Sequence, residues 1–135
     1  MIYVTLKDQS SAADWREIIQ LLSEDDSQPI WTSIPVDLVI TMHVIPEGVC
    51  TSRDYGSEIA VANAAVISAS TDDVSGQLTA LVNGFIEIVV DDSVIGVLAP
   101  DRFGILKRYL VFIKIQTAGE TMQLITAILP VYRGA

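Results

Sequence analysis

The sequence predicts a single all-β domain over residues 1–135, an antiparallel sandwich or small barrel of about six to eight short strands. Runs rich in β-branched and aromatic residues recur along the chain, and clusters of glycine, proline, serine and aspartate separate them. No internal repeat, low-complexity tract or linker divides the sequence. A domain of this length buries a sizeable core without disulfide bonds.

The first third of the chain contains two clear strands and one ambiguous segment. Residues 2–6 are β-branched and aromatic, which is typical of a strand. Residues 14–23 carry apolar side chains at helical spacing, which predicts an amphipathic helix capped by Asp14; read as a strand, this segment alternates imperfectly. Residues 36–45 form the cleanest strand, because alternate apolar positions share one face: Val36, Leu38, Ile40, Met42 and Val44.

The middle of the chain continues the pattern. Further strands are predicted over residues 58–70, 77–82 and 85–90, the last of which ends at an aspartate pair. Asn83-Gly84 lies between two of these strands and is a strong signal for a type I′ hairpin turn. Residues 46–57 contain two glycines, a proline and mixed charge, so we expect an exposed loop there.

The last two strands, residues 108–116 and 122–131, are predicted to form an antiparallel hairpin, with Gly119 adopting positive φ in the turn. Both strands carry apolar residues on both faces, whereas a strand with one solvated face alternates with polar residues. We therefore expect the outer face to be covered, either by the N-terminal segment or by another subunit. The predicted partner-binding residues lie on and beside this hairpin: Tyr109, Leu110, Phe112, Leu124, Ile128, Arg102 and Arg108.

Composition narrows the classes of partner. Half of the residues are hydrophobic and the mean hydropathy is +0.45, yet no apolar run approaches the length of a transmembrane helix. The excess apolar content favours a permanent protein interface. The net charge of −9 and a pI near 4.3 argue against direct binding to nucleic acid, and no basic amphipathic face indicates a membrane-surface role.

The residues that could carry chemistry do not form a recognisable catalytic set. His43 is the only histidine and lies on the polar face of a strand, where a surface role is expected. Cys50 is the only cysteine, which excludes an internal disulfide and a cysteine-built metal site. The pairs Asp25-Asp26, Asp72-Asp73 and Asp91-Asp92 match no calcium loop and are interpreted as turn residues. We expect no enzyme activity, no metal site and no cofactor.

The order of these features resembles a known group of proteins. The motifs follow one another along nearly the whole chain, within and between its predicted strands: Asp14-Trp15, EDDSQPI at 24–30, STDD at 70–73, GFIEI at 84–88, DDS at 91–93, PDRFG at 100–104 and AGE at 118–120. In this order they are similar to virion domains of tailed phages and prophages, namely the N-terminal β-sandwich of baseplate upper proteins. Two features depart from that pattern: residues 31–37 replace a short Asp-Leu-Thr-Gly approach to the long strand, and the loop at 46–57 is longer.

The resemblance implies an immunoglobulin-like sandwich in which residues 14–23 are a strand, and we prefer the strand because a helix would interrupt an all-β order. It implies a non-enzymatic structural protein of a tail, baseplate or connector, assembled in the host cytoplasm and located in the virion. Other virion proteins and copies of the chain itself are the expected partners. The alternative is a small carbohydrate- or peptide-binding module that uses aromatic stacking surfaces at Trp15, Trp31 or Tyr55.

Overall fold

The computed structural model describes residues 2–22, 27–48, 64–72, 76–118 and 120–134, with the backbone alone for 2–4 and 120–124. Within these ranges the chain forms nine strands and three short helical turns. The strands are β1 (Ile2–Thr5), β2 (Gln9–Ser10), β3 (Trp15–Gln20), β4 (Val39–Pro46), β5 (Ile67–Ser70), β6 (Leu78–Ala80), β7 (Phe85–Val90), β8 (Leu106–Thr117) and β9 (Glu120–Tyr132). The helical turns are α1 (Asp92–Ile95) and the 3-10 turns Val82–Gly84 and Gly96–Leu98.

The strands form two sheets, so the predicted all-β class is confirmed. The first sheet has the order β1-β9-β8-β4-β5, and β2 extends the row of β1 along the same edge of β9. The second sheet has the order β3-β7-β6 and is antiparallel. Both β1 and β2 run parallel to β9, so the first sheet is mixed and the prediction of a purely antiparallel arrangement is wrong. Parallel strands need a long connection between them, and the chain between β2 and β9 supplies it here. The prediction failed because the alternation of side chains along a strand is the same for parallel and antiparallel neighbours.

One hydrophobic core takes side chains from the inward faces of both sheets. Alternation places every second side chain of a strand on the same face, and the central strands therefore bury most of one face each. The fully buried core residues include Ile40, Met42 and Val44 of β4, Val111 and Ile115 of β8, and Ile86, Ile88 and Val90 of β7. Val36 was predicted to share the face of Ile40, but it precedes β4 in a turn and is fully exposed.

Strand β3 occupies the segment for which periodicity predicts a helix. Its residues pair with β7 in antiparallel register, from Trp15 opposite Val90 to Gln20 opposite Phe85. Trp15 is fully buried, whereas Ile18 is 62% exposed, so the helical stripe is not a buried face. The helix prediction is wrong and the strand implied by the resemblance is right, because pairing with β7 outweighs a short helical pattern. Glu17 faces inward and is half-buried on this edge strand.

The hairpin turns follow the predicted chemistry where the structure describes them. Asn83 and Gly84 both have positive φ, +60° and +75°, and they connect the antiparallel strands β6 and β7 as predicted. The hairpin of β8 and β9 is also confirmed, with a register shift at Ile115/Gln116. Its predicted turn residue, Gly119, lies outside the described residues, and the neighbouring Ala118 has φ of +50°.

Between β7 and β8 the chain crosses from the second sheet to the first, and a buried tyrosine fixes this crossing. The Tyr109 hydroxyl donates a hydrogen bond of 3.0 Å to the carbonyl of Leu98, at the end of the second 3-10 turn. Tyr109 is 1% exposed and Leu98 is fully buried. This contact sets the position of the loop at 99–105 and of the first residues of β8. Among the described residues, no helix is long and apolar enough to cross a membrane.

Candidate interaction surface

The seven predicted partner-binding residues do not share one surface. Tyr109 faces the core, so its ring is not available to a partner in this fold. Leu110, Phe112 and Ile128 lie on the opposite, outer face of the first sheet, where Leu110 is directly opposite Ile128. The side chain of Leu124 lies outside the described residues, although its backbone pairs with Lys114 in the hairpin.

The chain itself covers part of that outer face. Ile45 lies next to Leu110 in the ladder and is fully buried. The residues packed around Ile45 are Ala64 and Ala65, which precede β5, and Phe112 of β8. From the sequence, we expected the N-terminal segment or another subunit to cover this outer face. Around Ile45, the described residues that cover it belong instead to the segment before β5. Apolar residues on two faces of β8 are therefore partly explained within one chain.

At the far end of the same hairpin, apolar side chains are exposed together with basic ones. Residues 101–108 are exposed without interruption. Phe103 is 64% exposed and Leu106 50%, and Leu106 pairs in the ladder with Tyr132, which is 42% exposed. We call this surface the hairpin-end patch, and it consists of Arg102, Phe103, Ile105, Leu106, Lys107, Arg108, Tyr132 and Arg133. The predicted residues Arg102 and Arg108 belong to it.

Contacts within the chain hold several of these side chains in place. The Arg133 guanidinium lies over the ring of Phe103 at 5.1 Å from its centroid and donates a hydrogen bond of 2.8 Å to the carbonyl of Asp101. Arg108 Nε lies 3.3 Å from Glu47 Oε2. A set of aromatic and arginine side chains that is ordered before binding is typical of the residues that dominate binding energy in interfaces.

Among the patch residues that sequence reasoning missed are Leu106 and Tyr132, which pair across the hairpin. Both lie at strand ends and follow the alternation of their strands, so nothing in their local pattern distinguishes them from covered residues. The signal that could have found them is the register of the hairpin, which brings position 106 opposite position 132. Register depends on the turn and on the bulge at Ile115/Gln116.

An acidic cluster lies where β3 begins and β7 ends. Carboxylate oxygens of Asp14, Asp91 and Asp92 lie within 4.8 Å of one another, and all three residues are exposed. Asp14 Oδ1 accepts a hydrogen bond of 2.8 Å from the backbone N–H of Asp92, while Arg16 is 3.7 Å from Asp14 Oδ2. A hydrogen bond from the Ser93 hydroxyl is the main reason that the pKa of Asp91 is lowered.

These bonds are the turn chemistry that was predicted for Asp91-Asp92, and the pairing of β3 with β7 adds Asp14 to it. The other predicted aspartate turns are described only in part. Asp72 is exposed, whereas Asp25, Asp26 and Asp73 lie outside the described residues.

Of the single histidine and the single cysteine, the structure describes only the histidine. His43 lies on the outer face of the first sheet, half-buried, with Nδ1 2.8 Å from the Ser68 hydroxyl. Burial lowers the pKa of His43 below its ordinary value, which favours the neutral imidazole at neutral pH. Cys50 lies outside the described residues.

The tryptophans considered as stacking surfaces for a sugar are both buried. Trp15 is fully buried in the core, with no hydrogen-bond partner for its indole N–H among the described residues. Trp31 is 5% exposed and donates a hydrogen bond of 2.7 Å to the carbonyl of Leu81. Neither ring offers a face to a ligand, so that interpretation is wrong for these two residues. Tyr55 lies outside the described residues.

The chain was also compared with known proteins. No protein-family model matches the sequence, and no curated protein matches it significantly.

Proposed function

We propose that this protein is a structural subunit of a phage or phage-like virion, in a tail, baseplate or connector, and that it acts by assembly. The observation that carries this proposal is the hairpin-end patch, which exposes Phe103, Leu106 and Tyr132 at one end of the longest strand pair. Scattered exposed apolar residues are ordinary, but aromatic, leucine and arginine side chains gathered on one surface are typical of a binding site. The sequence resemblance to phage virion domains supplies the kind of assembly.

We also propose that the fold is immunoglobulin-like, as the resemblance implies. In that fold strands B, E and D share one sheet, and strands C, F and G share the other. Strands β3, β7 and β6 would correspond to B, E and D, and β4, β8 and β9 to C, F and G. Tyr109 near the start of β8, with its hydroxyl bonded back to Leu98, supports the assignment, since immunoglobulin domains have a tyrosine corner at the start of strand F.

Incorporation into particles tests the proposed function. Phage-like particles would be purified on a density gradient from cells that encode the chain, and the chain detected with a specific antibody. We expect it to sediment with the particles, at a constant ratio to their other proteins. A chain that stays at the top of the gradient, while the particles form without it, would contradict a virion role.

A pair of variants links incorporation to the patch. Cells that lack the wild-type gene would express Phe103→Asp/Leu106→Asp or the control Ile18→Asp. Ile18 is 62% exposed, like Phe103, but lies on the outer face of the second sheet. We expect only the control variant to enter particles. Equal incorporation of both variants would show that assembly uses another surface.

A further inference from the structure

The hairpin-end patch is a positive surface on a strongly acidic protein. The chain has 8 lysines and arginines against 17 aspartates and glutamates, and four of those 8 basic residues are in the patch. Arg102 and Lys107 form no salt bridge with any residue that the structure describes, and Lys107 Nζ lies 5.5 Å from the centroid of the Tyr109 ring. A partner that covers Phe103 and Leu106 binds more favourably if it also presents negative charge near these two cations.

A complementary surface is available on the chain itself. The carboxylates of Asp14, Asp91 and Asp92 are clustered and exposed, and Arg16 is the only described cation in a salt bridge with them. Like charges that crowd within 4.8 Å repel one another, so an approaching cation is attracted to all three at once. The cluster belongs to the ends of β3 and β7 in the second sheet, whereas the patch belongs to β8 and β9 in the first.

Backbone contacts place the two surfaces at the same end of the molecule. The N–H of Ser11 donates a hydrogen bond of 2.9 Å to the carbonyl of Tyr132, and the N–H of Gly134 donates one of 3.0 Å to the Ser11 hydroxyl. Ser11 thus joins the end of β9, beside the patch, to the connection that leads through residues 12–14 into the acidic cluster. One molecule can use both surfaces towards neighbours that approach this end.

We infer that the hairpin-end patch of one copy docks on the Asp14–Asp91–Asp92 cluster of a second copy. Arg102 and Lys107 face the carboxylates, while Phe103 and Leu106 are covered by the neighbour. The inference rests on the assembly role proposed above and names the partner as the same chain. Each copy contributes a patch and a cluster, so the contact can be made twice about a two-fold axis or once per step around a ring.

A charge-swap experiment tests the contact. The reversed patch is Arg102→Glu/Lys107→Glu, and the reversed cluster is Asp91→Lys/Asp92→Lys. The matched control for the latter is Asp37→Lys/Asp72→Lys. These two exposed aspartates adjoin the start of β4 and the end of β5, the other end of the first sheet from the patch. Sedimentation velocity over a concentration series reports association, and circular dichroism shows that each variant is folded.

We expect wild type and the control to self-associate, and each reversed variant alone to associate about tenfold or more weakly. An equimolar mixture of the two reversed variants should associate again, because each new acidic patch meets a new basic cluster. This recovery also shows that both variants are folded. Should Asp91→Lys/Asp92→Lys misfold, Asp92→Asn replaces it, and a weaker self-association than wild type is expected.

The other outcomes overturn the inference in distinguishable ways. Wild type that associates, with reversed variants that never recover on mixing, refutes the patch–cluster contact and leaves assembly intact. If only Asp37→Lys/Asp72→Lys loses association, the inference is wrong and the acidic side of the interface lies at the other end of the first sheet. Wild type that remains monomeric at high concentration refutes a second copy as partner, whereas the particle experiment still decides the proposed function by itself.

Discussion

Replacing Gly84 with alanine should be among the most destabilising small changes in the described part of the chain. Gly84 is buried in the β6–β7 turn with φ of +75°, a conformation that costs an L-residue about 1–2 kcal/mol. A Cβ built on Gly84 would lie 2.6 Å from the backbone oxygen of Leu21 and 3.3 Å from Ile30 N and Pro29 Cβ. The substitution therefore combines backbone strain with a steric clash.

Leu21 cannot easily move away from that Cβ. Its N–H donates a hydrogen bond of 2.8 Å to the carbonyl of Gly84, and its carbonyl accepts one of 2.9 Å from Ile30. Forcing extra volume into such a site costs about 1–3 kcal/mol, so the total for Gly84→Ala is about 2–5 kcal/mol. For a chain of this length, that lowers Tm by roughly 8–20 °C.

Gly104→Ala is the matched control, because Gly104 has φ of +81° but no atom lies within 4 Å of the point that its Cβ would occupy. It should lose only the strain, about 1–2 kcal/mol or roughly 4–8 °C in Tm. Thermal and urea unfolding of both variants, followed by circular dichroism, gives the comparison. If Gly84→Ala is no less stable than Gly104→Ala, the packing of Leu21 against this turn is not as tight as these distances indicate, and the reasoning fails.

Three further changes test separate features. Tyr109→Phe should lower the free energy of unfolding in urea by about 1–2 kcal/mol, because the buried carbonyl of Leu98 loses its donor. Tyr132→Phe, at an exposed position, should have almost no effect. Equal effects would contradict a stabilising hydrogen bond between Tyr109 and Leu98. Burial lowers the pKa of His43 in the folded protein, so as the pH drops below 6.5 the unfolded chain binds the proton first and the stability of the fold decreases. In His43→Gln this part of the dependence of Tm on pH should disappear. An unchanged dependence would show that it does not come from His43, the only histidine. Glu17→Val removes an inward-facing charge from an edge strand, and such charges discourage edge-to-edge pairing between molecules. The variant should therefore aggregate more than wild type during incubation, as measured by light scattering. If it aggregates no more than wild type, Glu17 has no such role.

Local residue chemistry predicted the elements that depend on it. The run at 85–90 is β7 with the same bounds, and Asn83 and Gly84 take the positive φ values that their residue types favour. The helix prediction at 14–23 failed because the spacing of apolar residues within the segment contains no information about β7, the strand with which it pairs. The parallel addition of β1 to β9 also left no signal, since direction depends on how the whole chain crosses the domain.

The candidate surface shows the same division. Arg102 and Arg108 were predicted as partner-binding residues beside the hairpin, and both are exposed. Tyr109 was wrongly grouped with them, because an aromatic residue beside arginines fits a surface or a core equally well until its face is known. The acidic cluster could not be predicted, because it depends on the pairing of Trp15 with Val90. That pairing brings Asp14 next to Asp91 and Asp92, which are far from it in the sequence.

The parallel pairing of β1 with β9 has a consequence for how the protein carries mechanical force. The two strands run side by side from Ile2 opposite Ile125 to Thr5 opposite Ile128, and β2 continues the row with Gln9 opposite Val131. A pull on the start of β1 against the end of β9 acts along both strands, so the hydrogen bonds between them are sheared together. An antiparallel neighbour at this edge would peel away one bond at a time. The mixed sheet thus gives the chain a clamp against tension applied along these two strands.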